Sequence, residues 1–178
     1  MSLIDKNKTN LILLENNKAE YVLYDLNLSK NKDFNNIDIL ILYSSYNLSI
    51  NESIRNGFLN TLSKKNYSGS VAILQIPGGA FELPQLSKKI IKSLKPKISL
   101  LIGCIVKGET KHYDFLSSSV TNAISILSMK YHTSILNGIQ TVENDQQAID
   151  RAGNKFNKGS EYADVSLEIL NFIEKFNE

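Results

Sequence analysis

The sequence predicts an α/β domain: a parallel sheet with helices on both faces. Three observations carry that prediction. The runs IDILILY (37–43), SVAILQI (70–76) and ISLLIGCIV (98–106) are nearly continuous in apolar residues and rich in β-branched ones, as strands buried on two faces must be. A breaker or polar segment follows each run, and then apolar residues at helical spacing, the alternation that builds right-handed βαβ units. With 178 residues, 42% of them hydrophobic, the chain is long enough for one core and too short to expect two.

Residues 1–36 are polar and rich in Lys and Asn, with short apolar pieces at Leu11–Leu14 and Tyr21–Leu26. They read as an N-terminal extension able to carry one edge strand and otherwise partly mobile, ahead of an α/β domain over 37–178. After the first buried run, Leu48–Lys65 places Ile50, Ile54, Phe58, Leu59 and Leu62 on one helical face, with Asn47 or Ser49 as its cap. PGGAF ends the second run, and a helix is expected over Glu82–Leu94. The polar segment KGETKHYD follows the third run and leads into a helix over about 115–131. HTSILNGIQ (132–140) supplies a fourth strand, and helices near 144–152 and 160–176 close the chain. Ligands of open α/β sheets bind beyond the carboxyl ends of the strands, which singles out SSYN, PGGAFE, KGETKHYD and NGIQTVEN.

Composition removes several classes of function. Twenty basic residues against 18 acidic ones leave a net charge of +2, which gives no electrostatic case for nucleic acid. No apolar run approaches the ~20 residues a membrane span needs, and MSLIDKNKTN lacks the apolar stretch of a secretory signal. The single cysteine, Cys104, excludes an internal disulfide, and no Cys/His cluster has metal-binding spacing. A cytoplasmic protein without metal or membrane attachment is expected. Arg55 and Arg151 are the only arginines, which makes them candidates for work that needs a planar, bidentate cation.

The loop after the third strand holds the most chemistry. Gly108 permits close backbone approach, the amides of Glu109 and Thr110 can meet an anion, and His112 is a residue type that exchanges protons near neutral pH. A solvated loop histidine is the competing reading of His112. In PGGAFELP, Phe81 offers a flat face for a heteroaromatic ring and the amides of Ala80–Glu82 stand free at a helix start. The same residues also suit a plain strand-to-helix turn with Phe81 in the core. Arg151 suits either a helix C-terminus or a phosphate, and Lys158 suits either solvent or a phosphate. Cys104, inside an apolar strand, reads as a small core residue.

In order and spacing, IPGGAFELP, LIGCIVKGETKHYDFL and NGIQTVENDQQAIDRAGNKFNKGSEYA resemble the 6,7-dimethyl-8-ribityllumazine synthase family of riboflavin biosynthesis, over about 37–176. The resemblance implies a flavodoxin-like three-layer α/β/α fold with a central four-stranded parallel sheet, to which an N-terminal edge strand can add. It implies a homo-oligomer, a pentamer or a 60-subunit shell of pentamers, with active sites between adjacent subunits. Riboflavin synthase becomes a candidate partner. The implied reaction condenses 5-amino-6-(D-ribitylamino)uracil with 3,4-dihydroxy-2-butanone 4-phosphate, giving the lumazine, phosphate and water without a cofactor. A non-catalytic protein that binds lumazine or flavin, or forms a shell, is the alternative on the same fold.

Carried over by motif position, Tyr46 stacks on the pyrimidine where the family usually has Phe or Trp. Ala80, Phe81 and Glu82 hold the ribityl chain and ring edge. Cys104, Ile105 and Val106 present backbone groups to the pyrimidine, and Asn137 lies beside the substrate ring. Glu109 and Thr110 bind phosphate through their amides, Arg151 of the adjacent subunit is the counter-charge, Lys158 lies near the phosphate, and His112 moves protons. The sequence departs from the pattern at Ser45, commonly charged; at Asn137, commonly Phe; at Lys107, commonly Arg; and in PGGAFE, which carries one glycine more than PGAFE.

Overall fold

The computed structural model describes residues 11–14 and 37–177. Its elements in chain order are β1 (Leu11–Leu14), β2 (Ile39–Ser44), α1 (Leu48–Lys64), β3 (Val71–Ile76), α2 (Leu83–Leu94), β4 (Ile98–Val106), α3 (His112–Lys130), β5 (Ser134–Val142), α4 (Asp145–Arg151) and α5 (Lys158–Asn177). The sheet order is β1-β3-β2-β4-β5. Strands β2 to β5 are parallel, with Ile39 opposite both Val71 and Ile98, and Ile98 opposite Ser134. Leaving out β1, the strands run second, first, third, fourth in space, the flavodoxin-like order. β1 lies antiparallel on β3, Leu14 opposite Val71, which is the edge strand expected of the extension. The rest of that extension, including the reading of it as partly mobile, lies outside the described residues.

Two cores explain the layers. Leu40 and Leu42 of β2 face one side with Leu83, Ile91, Val120 and Ile124 of α2 and α3. Their neighbours Ile39, Ile41 and Tyr43 face the other side with Ile54, Phe58 and Leu62 of α1 and Ala163 and Leu170 of α5. This alternation along one strand is the two-residue period of a pleated sheet, and both faces are dry. Gly159 lets α5 lie directly on α1: a Cβ there would fall 2.0 Å from the Ile54 carbonyl oxygen and 2.7 Å from the Phe58 nitrogen. Among the described residues no helix is long and apolar enough to cross a membrane.

Three local expectations need correction. α3 starts at His112 rather than near Phe115, so the histidine sits in the first turn of a helix. β5 extends to Val142, so most of NGIQTVEN is strand, held by pairing to the full length of β4. Asn47 occupies the N-cap position of α1 in the left-handed conformation (φ 54°), but its side chain makes no cap hydrogen bond. Arg55 is also accounted for by packing: it is buried, donates to the Tyr43 hydroxyl at 2.9 Å, and meets Glu52 at 3.5 Å.

The amino ends of the strands are tied by Asp38. Its carboxylate takes Lys97 Nζ at 2.7 Å and the Ser70 amide at 2.9 Å. Burial pushes the Asp38 carboxyl up, but hydrogen bonds from Lys97 and Ser70 and the Lys97 charge outweigh it and hold the group below its ordinary value. A carboxyl held low in the folded state stabilises the fold above its unfolded pKa and loses that contribution as pH falls through its folded one. Asp38→Asn is therefore expected to cost about 1 kcal/mol at pH 7, a value kept small because Lys97 is largely solvated. The deficit should shrink as pH is lowered from ~4 toward 2. Urea unfolding of both proteins at pH 7 and at low pH measures it; an equal deficit at both would contradict the assignment.

Candidate active site

A cleft of about 750 Å³ opens at the carboxyl ends of β2, β3 and β4. This is where chain order reverses between β2 and β4, the place where an open α/β sheet leaves a crevice. Tyr46 and Asn47 enter it from the turn after β2, and Gly79 to Glu82 from the turn after β3. Cys104, Ile105 and Val106 form its floor from the last residues of β4, and His112 stands on the opposite side at the start of α3. The fold thus gathers Tyr46, Ala80, Phe81, Glu82, Cys104, Ile105, Val106 and His112 into one cavity.

Local chemistry sets each wall. Asn51 in α1 is fully buried, and its amide donates to the carbonyls of Ser44 (2.9 Å) and Tyr46 (2.8 Å), which fixes the bend that carries Tyr46. The Tyr46 amide bonds to the Gly78 carbonyl at 3.1 Å, joining the first two turns. The Tyr46 and Phe81 side chains are 70% and 61% exposed, so their ring faces are free for a ligand rather than spent on the core. Phe81 therefore belongs to the site and not to the interior. Glu82 accepts from the Gly79 amide at 2.7 Å, leaving the rest of its carboxylate open to the cleft.

Cys104 contributes its backbone. Its carbonyl accepts from Asn47 Nδ2 at 2.8 Å, a bond that spans the crevice floor from the β2 turn to β4. Burial, with a smaller push from Asp145, raises the thiol to about 11. The side chain is a neutral core group, as its place in an apolar strand suggests.

The remaining expected residues lie elsewhere. Glu109 and Thr110 sit exposed in the loop before α3, with Thr110 Oγ1 accepting from the His112 amide at 3.3 Å. Asn137 is exposed on β5, where its Oδ1 accepts from the Ile139 amide at 3.0 Å. Lys158 Nζ lies 2.5 Å from Glu161 in the first turn of α5. Arg151 ends α4, half-buried and with no carboxylate in ion-pair range among the described residues. Its turn is rigid, because the Lys155 and Phe156 amides both bond to the Asp150 carbonyl. None of these borders the cleft of its own chain. Lys107 pairs with Glu143 at 2.7 Å across the ends of β4 and β5.

Sequence reasoning pointed to the SSYN loop but gave Asn47 itself only a capping role, and it missed Phe115, Leu116, Ser119 and Asp145. Phe115 was legible in principle: it follows His112 by three positions, the spacing that shares a helix face. Asn47 was not, since only the three-dimensional approach of β4 gives its side chain a partner. Among the described residues no three metal-ligating side chains converge.

Residues 36–174 match the family model described as 6,7-dimethyl-8-ribityllumazine synthase. A protein of that name from Thermococcus kodakarensis is 32% identical over 142 residues, 80% of this chain and 90% of the relative. Another from Parabacteroides distasonis is 31% identical over 150 residues, 84% and 92% of the two chains.

A buried, neutral thiol has a direct consequence. At pH 8 the raised thiol is overwhelmingly protonated, and packing shields it further. The folded protein is expected to resist a thiol reagent such as dithionitrobenzoate and to release one equivalent once unfolded in guanidinium. Rapid labelling of the folded chain would refute the burial.

Proposed function

The chain belongs to the 6,7-dimethyl-8-ribityllumazine synthase family, whose members are enzymes, and we propose that it condenses 5-amino-6-(D-ribitylamino)uracil with 3,4-dihydroxy-2-butanone 4-phosphate. Lumazine, inorganic phosphate and water are the products. One observation carries the reading: two free aromatic faces, a carboxylate and a histidine share one cleft at the switch point of the sheet.

In this reading the pyrimidine stacks on Tyr46, its ring edge meets the backbone of Cys104 to Val106, and Phe81 and Glu82 hold the ribityl chain. Asn137 stands beside the ring in the assembled site. The amine of the uracil attacks the ketone, and loss of water gives an imine. Phosphate then leaves by elimination, and attack of the ribitylamino nitrogen on the remaining carbonyl, with loss of a second water, closes the lumazine ring. Each step moves a proton, and His112 is the group placed to carry it. The departing phosphate is stabilised by the amides of Glu109 and Thr110, by Arg151 and by Lys158. Most of the acceleration comes from holding two reactants together.

The position of Arg151 supports a site completed by a second subunit. It carries an unpaired cation on a rigid turn, yet it stands outside its own chain's cleft. The surface of α3 supports the same assembly. Phe115, Ile126 and Met129 are all more than 60% exposed and recur at helical spacing with Ser119 and Asn122. A pentamer follows from the family reading, with the reaction in the cytoplasm.

Product formation, followed by lumazine absorbance and phosphate release, tests the chemistry. His112→Ala is expected to lower kcat by roughly tenfold, less than acid–base groups often supply because juxtaposition dominates. Arg151→Ala is expected to raise KM for the phosphate substrate by roughly tenfold or more, the worth of a charge-assisted hydrogen bond. An unchanged KM for that substrate removes Arg151 from the site. A wild-type protein that binds lumazine but makes none is a binding or shell protein instead.

Assembly has its own test. Ile126→Glu with Met129→Glu should shift the sedimentation of the protein from oligomer to monomer and abolish turnover. Full activity in a sedimenting monomer would overturn the divided site.

A further inference from the structure

The turns after β2 and β3 are joined through one hydroxyl. Ser45 Oγ accepts from the Gly78 amide at 3.0 Å and donates to the Gly78 carbonyl at 3.1 Å. On either side, the Ser45 amide bonds to the Ile76 carbonyl at 2.9 Å and the Tyr46 amide to the Gly78 carbonyl at 3.1 Å. Both backbone polar groups of Gly78 are therefore held by the Ser45–Tyr46 segment.

Gly78 is the pivot of its turn. Its φ of 93° lies in the region that glycine alone adopts freely, and a Cβ there would come within 2.8 Å of Glu82 Oε2. The next amide, that of Gly79, donates to that same Oε2 at 2.7 Å. A chain of contacts thus runs from the Ser45 hydroxyl through Gly78 and Gly79 to the Glu82 carboxylate. Between the buried Ile76 and Ala80 the turn is solvent-exposed at Pro77 and Gly78, so hydrogen bonds rather than packing set the shape of that exposed part.

We infer that Ser45 is a positioning residue: it locks the Gly78 bend and, through the Gly79 amide, sets where Glu82 and Phe81 stand against Tyr46. Ser45 itself does not border the cleft. The inference rests on the proposed reaction for its consequence: the wall it sets is the one that receives the ribitylaminouracil, not the phosphate substrate. Loss of the hydroxyl leaves the Gly78 amide without its partner and frees a two-glycine turn.

Steady-state kinetics on Ser45→Ala and Ser45→Thr, varying each substrate in turn, tests it. Ser45→Ala should raise KM for the uracil about fivefold, the worth of one or two net hydrogen bonds, with kcat and the other KM within about twofold. Ser45→Thr keeps the hydroxyl and should restore the wild-type value. The melting temperature of each variant, measured alongside, should stay close to wild type. Three results would overturn the inference: an unchanged KM in Ser45→Ala, an equal rise in both KM values, or no recovery in Ser45→Thr. Fluorescence titration with lumazine reads the same wall without turnover, and there Ser45→Ala should bind about fivefold more weakly and Ser45→Thr as wild type. If the wild type makes no product, the proposed reaction fails. The titration then decides Ser45 alone: equal lumazine affinity in Ser45→Ala and wild type, or no recovery in Ser45→Thr, rejects it.

Discussion

Burial of β2 and β4 on both faces is the constraint from which the rest of this molecule follows. All six residues of β2 and the first eight of β4 are buried. A strand with apolar side chains on both sides needs a helical layer on each, and parallel neighbours need crossovers of helical length to supply those layers. Once the crossovers are right-handed, every strand ends at the same edge of the sheet. The loops that leave the strand ends are then neighbours, whatever their separation in sequence. Tyr46, Ala80 and Ile105 meet in one cleft for that reason.

Meeting is not enough to make a site, because loops at a sheet edge have little packing of their own. Here the stiffness comes from polar side chains that reach from one loop to the next. Asn51 holds the Tyr46 bend from inside the core, Ser45 holds Gly78, and Asn47 reaches the Cys104 carbonyl. Each uses a short amide or hydroxyl group, which bonds to backbone at little cost in side-chain entropy. The glycines complete the arrangement: Gly78 allows the bend, and Gly159 allows α5 to press on α1 behind the β2 turn.

The strands were legible because their signal is local. Ile98–Val106 reads as a strand from its own nine residues, and its bounds are those of β4. The two ends of α3 and β5 were harder. HYD after a polar loop has no apolar period, so His112 looked like loop until its turn of helix was seen. The expected strand 132–140 already held Asn137-Gly138, and β5 runs on to Val142 because it pairs with the full length of β4. The loop linkages were out of reach for a different reason. Ser45 and the additional glycine of PGGAFE are separate oddities in the sequence, 33 positions apart, and only the β2–β3 register places one against the other.

The same logic keeps Arg151 apart from the cleft of its own chain. The cleft gathers two aromatic faces, a carboxylate and a histidine, while Arg151 is fixed at the end of α4, held in its turn by the bonds of Asp150 to Lys155 and Phe156. A flexible arginine could fold back toward Asp145 or Glu143 nearby in sequence, but it makes no ion pair with any described carboxylate. A guanidinium without a carboxylate partner on a rigid turn is available to meet an anion or a second surface. The exposed face of α3 that carries Phe115, Ile126 and Met129 begins beside the cleft, which Phe115 itself borders, so a neighbour packed along that face would also close the cavity. In the proposed reading assembly and catalysis are one requirement: the face of α3 that a neighbour would bury is the face that borders the cleft.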